Sequence, residues 1–259
     1  MHSLPALSIV GAGCIGRRIA QAIAQGELAY NLAAVSDIEQ SAAEQLCEQY
    51  APDAEILSLD ATAALCDVLV ECAAGAAVPT VVDAARRSYE EDQRPGHVLV
   101  MSVGGLLGVE ELEAPGPVIH VPSGALGGLD AVQAMNVAGL DEVILTSSKP
   151  PQGLGLDVTE RTVLFEGSAA EVIKLYPKNV NVAIALSLAG IGAEKTKVQL
   201  VADPAIDRNT HHLVARGAAG EVEFTSRNMP FPENPRTSYL AALSAVAMLK
   251  RLSSRLQVG

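Results

Sequence analysis

Two histidines stand side by side in "RNTHH", residues 208–212. Neighbouring side chains on an extended segment point to opposite faces, so His211 and His212 can hardly share one task. An imidazole titrates near neutrality and can take or give a proton during a reaction. Most strand histidines without further context are structural or exposed. What separates these roles is whether the chain binds something on which an acid–base group could act.

The loop "GAGCIG" points to such a partner. Gly11, Gly13 and Gly16 fit the G-x-G-x-x-G spacing, after the apolar run "ALSIV" and before the helical pattern "IGRRIAQAIAQG". The first glycine suits a tight turn, the second lets backbone approach a pyrophosphate, and the third lets helix pack on strand. Beyond them, Cys14, Ile15 and Gly16 open a helix whose free N–H groups and dipole favour an anion. Asp37 follows about 21 residues after Gly16 and closes the second apolar run, "NLAAVSD". A carboxylate there hydrogen-bonds an adenine ribose. The competing reading is a glycine-rich turn that binds nothing, with Asp37 a solvated acid; the full strand–turn–helix context favours a dinucleotide. Asp37 leans the choice toward NAD, because it repels the 2′-phosphate of NADP, while Arg17 and Arg18 nearby keep NADP open.

The elements that must position these residues alternate at first. "DVLVECA" and "HVLVMSVG" are further apolar runs, "QSAAEQLCEQY" and "AVPTVVDAARRSYEE" are helical patterns, and runs apolar on both faces indicate a parallel α/β sheet. A Rossmann-type dinucleotide-binding domain is therefore expected over 1–120. After it the rhythm changes. "HVPSGALGGLDAVQAM" is a glycine-rich loop entering a helix, and "EVILTSSKPP" is a strand that breaks at paired prolines. "SAAEVIKLYP" and "VNVAIALSLAG" look helical, and "KTKVQLVADP", "THHLVARG" and "EVEFTSRN" look like strands, the last two a hairpin through "AAG". An α+β domain is expected over 121–232. The remainder, 233–259, contains a long helix starting near Thr237 or Ser238.

Composition excludes several classes. The 259 residues carry a formal charge of −12, which argues against nucleic acid or an anionic membrane surface. No apolar segment reaches the roughly 20 residues of a membrane span, and the start lacks a signal-peptide pattern. A cytoplasmic protein is expected. Cys14, Cys47, Cys66 and Cys72 show no CxxC pair and no metal-ligand spacing with histidine, so no metal is expected.

"HVPSGALGGLDA", "TSSKPP", "YPKNVNVAIALSLAGIG", "VADP", "RNTHH" and "ENPRTS" occur in this order, after "ECAAGAAV" and "MSVGGL". Together they resemble the L-aspartate dehydrogenase family over essentially the whole chain. The resemblance implies a Rossmann domain completed by the C-terminal helix, and an inserted α+β domain that carries the active site and forms a homodimer. It implies oxidation of L-aspartate with NAD or NADP, through an imine, to oxaloacetate and ammonia. It also implies that the imine can feed NAD biosynthesis. The family's catalytic histidine lies two places after the asparagine of an N-x-H pattern, which is His211 here. Ala125 and Asn181 match cofactor-contact positions near the nicotinamide. His212 departs from the usual pattern, where a polar or acidic residue is commoner.

From the residues alone, "PSGALGG" puts little side chain in the way of a planar group, and the N–H groups around Ser123 and Gly124 suit a carboxylate or carboxamide. Asn179 and Asn181 serve equally well as helix caps. A dicarboxylic substrate needs cations, and Lys149, Lys178, Lys195 and Arg236 are the candidates, each open to being a surface charge. The competing functions are a related amino-acid dehydrogenase, a cyclic-imine reductase of the dihydrodipicolinate type, and a non-catalytic NAD-binding redox sensor. Turnover on an amino acid separates the sensor from the enzymes.

Overall fold

The computed structural model describes residues 4–176, 181–232, 234–256 and 258. The chain divides into two compact units, Met1–Pro122 with Ser244–Val258, and Ser123–Leu243.

In the first unit β1 (Ala6–Val10) leads through the glycine loop into α1 (Cys14–Ala24). β2 (Asn31–Ser36), α2 (Gln40–Tyr50), β3 (Glu55–Ile56), α3 (Leu59–Ala64), β4 (Val68–Glu71), α4 (Val78–Asp92), β5 (His97–Val100) and β6 (Val118–His120) follow. The strands form one sheet in the order β3-β2-β1-β4-β5-β6, with every pair parallel. This is the Rossmann order. Winding reverses between β1 and β4, which opens a crevice at the carboxyl ends of the strands. Leu7, Ile9, Leu69, Val70, Val98 and Leu99 are fully buried in the sheet. Ala245, Val246 and Leu249 from the end of the chain join this core, and the Tyr30 hydroxyl donates to the Leu249 carbonyl at 3.0 Å.

The carboxyl end of β4 holds a buried acid. Glu71 accepts the backbone N–H of Ala73 with one oxygen and that of Ser102 with the other, both at 2.9 Å. It thereby ties the loop after β4 to the loop after β5. Burial raises its pKa in spite of those bonds. The two loops continue as short 3₁₀ turns, Gly75–Ala77 and Val103–Gly108. They are packed so closely that a Cβ on Gly105 would lie 2.1 Å from the Gly75 carbonyl oxygen.

The second unit comprises α5 (Leu129–Ala138), β7 (Leu140–Lys149), α6 (Pro151–Leu154), β8 (Thr162–Ser168), α7 (Ala169–Leu175), α8 (Asn181–Ala189), β9 (Lys197–Ala202), β10 (Asn209–Gly217), β11 (Gly220–Asn228), β12 (Pro230–Phe231), β13 (Asn234–Ser238) and the start of α9 (Tyr239–Leu252). Five strands form a mixed sheet, β11-β10-β7-β9-β8, in which only β7 and β9 are parallel. Residues at every second position are buried: Val143, Leu145, Ser147 and Lys149 on β7, and His211, Leu213 and Ala215 on β10. α5 and the residues after α8 lie against this face, with Gly190 beside Val132 and Val143. α7 begins at a capping box in which the Ser168 hydroxyl accepts the Glu171 N–H and Glu171 accepts the Ser168 N–H.

The alternating segments and the β10–β11 hairpin lie where the sequence places them. The short β3, α3 and β6 and the longer β8 are additions. In the terminal segment 233–259, Asn234–Ser238 forms a strand against β12, and the helix starts at Tyr239. Ser238, one of the two expected starting residues, immediately precedes it. Among the described residues no helix is long and apolar enough to cross a membrane.

Glu71→Gln would place an NH₂ group against one of the two N–H groups that the carboxylate accepts. Leaving a buried donor unsatisfied costs about 1–3 kcal/mol, and the melting temperature should fall by several degrees. An unchanged melting temperature in a thermal scan would show that the two loops do not depend on this acid.

Candidate active site

In the first unit, the geometry of the glycine loop follows from two close approaches and one open position. Gly11 has φ +105°, and a Cβ there would lie 2.6 Å from the backbone of Cys72 and Ala73. A Cβ on Gly16 would lie 2.2 Å from the Gly11 carbonyl oxygen, so the loop folds back on the first turn of α1. The space beside Gly13 is open, with nothing within 4 Å of a Cβ. Gly13 is also the N-cap of α1 and offers no side-chain cap. The N–H groups of Cys14, Ile15 and Gly16 are thus the start of a helix without a side chain in their way. That arrangement fits a phosphate-bearing group.

Asp37, just past β2, closes the loop from the other side. One oxygen accepts the Ala12 N–H at 2.6 Å, and the other accepts the Glu39 N–H at 2.8 Å. Arg17 donates to the Gln45 side chain at 2.9 Å, and Arg18 pairs with Glu27 at 2.8 Å. Both arginines are held by acceptors of their own unit.

In the second unit, polar side chains gather at one end of the buried sheet face. His211 on β10 pairs in register with Ser147 on β7, and the Ser147 hydroxyl lies 3.0 Å from His211 Nδ1. His211 is 3% exposed, and burial, aided by the charge of Lys149, pushes its pKa down to about 3. Lys149, two residues along β7 on the same face, is 7% exposed, and burial pushes its pKa down to about 8. On the next strand, Ser226 pairs with His211, and Asn228 with Asn209. The Ser226 hydroxyl and the Asn228 amide both donate to the Ala125 carbonyl, at 2.8 and 2.9 Å. The turn Ser123–Ala125, with Gly124 at φ +65°, is therefore pinned to the strand beside His211. Asn209 donates to the Ser238 hydroxyl at 3.3 Å.

His212 is on the other face. Its Nε2 lies 2.7 Å from Glu223, and its side chain is 37% exposed. Of the two neighbours, His211 is the one placed among buried polar groups.

Asn181 is the first residue of α8, and Lys195 is exposed between α8 and β9. Lys178 and Asn179 lie outside the described residues, as does the side chain of Arg236. The sequence reading singled out His211, Ala125, Gly124 and Lys149, which all belong to the second unit. It passed over Ser147, Ser226 and Asn228. Ser147 stands two places before Lys149 in "TSSKPP", so the period of a strand already puts the two on one face; its pairing with His211 is a matter of register. All four cysteines are free thiols, and among the described residues no three His, Cys, Asp or Glu side chains gather as a metal site.

Residues 130–252 match the family model described as "Aspartate dehydrogenase, C-terminal". The chain is 40% identical to the L-aspartate dehydrogenase of Methanocella arvoryzae, with 98% of each chain covered. The chain belongs to the L-aspartate dehydrogenase family. A bacterial relative, the L-aspartate dehydrogenase of Ralstonia pickettii, is 39% identical over 94% of this chain and 96% of its own. The crystal structure of aspartate dehydrogenase from Thermotoga maritima matches with a TM-score of 0.77 and 29% identity, covering all of both chains. A scyllo-inositol dehydrogenase from Lactobacillus casei, solved with bound NAD(H), shares the fold alone; its TM-score is 0.56 at 12% identity, over 99% of this chain and 91% of its own. As a member of the L-aspartate dehydrogenase family, the protein is an oxidoreductase.

In this family member, burial of His211 ties stability to pH. Native His211 refuses a proton that the unfolded chain accepts below the ordinary value of 6.5. Stability therefore falls as the pH drops from 6.5 toward about 3. At pH 5 the loss due to this group is about 2 kcal/mol. His211→Asn has no such proton to refuse. Urea unfolding should show the wild type losing that much more than the variant between pH 7.5 and pH 5. A gap between the two proteins that does not change with pH would mean that the imidazole is not buried in its neutral form.

Proposed function

We propose that the protein oxidises L-aspartate to iminoaspartate, which water converts to oxaloacetate and ammonia, and that it also runs the reverse reductive amination. The observation that carries this reading is the buried His211–Ser147 pair beside Lys149 and the pinned Ala125 turn, in a chain 40% identical to a named L-aspartate dehydrogenase. A buried polar group of this kind costs stability and is best accounted for by chemistry.

The cofactor in this reading is a nicotinamide dinucleotide, which when bound accepts the hydride from Cα of the substrate. The Gly11–Gly16 loop and the first N–H groups of α1 hold its pyrophosphate. Asp37 favours NAD over NADP, and the engagement of Arg17 and Arg18 by Gln45 and Glu27 supports that preference. Ala125 and Asn181 border the nicotinamide. The substrate carboxylates require N–H groups or cations; the Ser123–Gly124 backbone, Lys178, Asn179 and Arg236 are the proposed sources. His211 is neutral across the physiological range. With its Nδ1–H donated to Ser147, its Nε2 lone pair accepts a proton from the water that attacks the imine. A cytoplasmic homodimer is the proposed setting.

Absorbance at the NADH band tests the reaction. Oxaloacetate with ammonia should consume NADH, and pyruvate or 2-oxoglutarate should do so only weakly; equal turnover on those acids would overturn the substrate. His211→Ala should lower kcat by about 10²–10⁴-fold while cofactor binding survives, and His212→Ala should do much less. The reverse ranking would move the role to the other imidazole.

Asp37→Ala should weaken NAD more than NADP. A hydrogen bond to a charged group contributes about 1.5–3 kcal/mol, so the loss for NAD should be roughly ten- to hundredfold by calorimetric titration. Equal affinities before and after the substitution would show that Asp37 does not reach the ribose.

A further inference from the structure

The second unit contains a buried amine as well as a buried imidazole. Lys149 is the last residue of β7, ahead of Pro150 and Pro151. Alternation along β7 puts it on the face of Ser147, Leu145 and Val143, all buried. Its described neighbours include groups from both flanking strands. On β10, His211 pairs with Ser147, two residues before Lys149 and on the same face. From β9, Ala202 pairs with it. Asp203 follows, giving its N–H to the Lys149 carbonyl at 2.9 Å and its carboxylate to Arg161 at 3.9 Å. Lysine is among the residues least often buried, and an apolar side chain at this position would pack at lower cost.

Resting on the reading of the protein as an amino-acid dehydrogenase, we propose that Lys149 is a catalytic residue: its Nζ takes the ammonium proton of the substrate before the hydride leaves. The chemistry demands such a step. A substrate ammonium has no lone pair to form the C=N bond. One N–H bond of the ammonium breaks, and an N–H bond forms on neutral Lys149. The freed lone pair then makes the C=N bond while the Cα–H electron pair passes as hydride to the oxidised nicotinamide. Lys149 afterwards returns its proton to solvent.

His211 is poorly suited to that first transfer. With a pKa near 3 it is a much weaker acceptor than an amine near 8. Proton transfer is most effective when the acceptor titrates near the working pH. Of the two buried bases, Lys149 is thus the better acceptor for the ammonium proton.

A first test needs no turnover. In protein labelled with ¹³C-lysine, one Cε resonance should titrate near pH 8 and be missing from Lys149→Met; titration of that resonance at the ordinary value of 10.5 would overturn the proposal. A second test separates proton transfer from carboxylate binding. Lys149→Arg keeps the cation but does not deprotonate in this range. It should retain the KM for the amino acid and bind cofactor normally, yet lose about 10²–10⁴-fold in kcat. The wild-type kcat/KM for oxidation should rise through a pKa near 8. Added methylamine should partly restore Lys149→Met. A fully active Lys149→Arg would make the residue a carboxylate anchor instead. If wild type prefers another amino acid to aspartate, the substrate assignment fails and the same variants decide the role of Lys149 on that substrate.

Discussion

Which of the two neighbouring histidines is buried is decided by one register, that of β10 against β7. Side chains alternate with a period of two, so a slip of one residue would exchange the faces of the whole strand. His212 would then enter the apolar face, and His211 would leave Ser147. The register is held from the hairpin end, where Gly217 pairs with Gly220 and with Leu140. A Cβ on Gly217 would lie 2.3 Å from the Gly139 carbonyl oxygen, so the close approach of those backbones admits only glycine. The polar cluster at one end of the sheet is anchored by a backbone contact at the other.

The buried face is divided along its length. Val143, Leu145, Val198, Leu200, Leu213 and Ala215 make an apolar floor under α5 and the residues after α8. Beyond it come Ser147, Lys149, His211, Ser226 and Asn228, all withdrawn from water. Each polar group removed from water costs free energy unless it finds a partner. Ser147 supplies one for His211, and the Ala125 carbonyl supplies one for both Ser226 and Asn228. The remaining cost falls on the charged forms of His211 and Lys149, whose protons are held less tightly than in water. The fold thus gives up stability at the same place where it shifts proton affinity.

The first unit was legible nearly residue by residue, because long apolar runs and a glycine fingerprint are local signals. β3 and β6 were not, since two or three residues carry no periodicity of their own and exist only through pairing with β2 and β5. β8 escaped for a related reason: "TVLFEGS" mixes exposed and half-buried positions and owes its place to β9. In the second unit the parts of the site were visible as short motifs far apart in the chain. Their association was not, because the pairing of residue 147 with 211, and of 226 and 228 with the carbonyl of 125, depends on strand order and register. Burial of Lys149 belongs to the same class. Nothing in "TSSKPP" says that its lysine faces a covered side of a sheet.

Asp37 has two duties within one carboxylate. Its oxygens already fasten the Ala12 and Glu39 N–H groups, so the turn is rigid before any anion reaches it. A pre-organised turn loses little freedom when it is occupied, and the entropy of ordering it has been met during folding. Substitution at this position is therefore not a matter of charge alone. A replacement that merely deletes the carboxylate also releases the turn, whereas a neutral side chain that still accepts the Ala12 N–H would remove the charge and leave the scaffold standing.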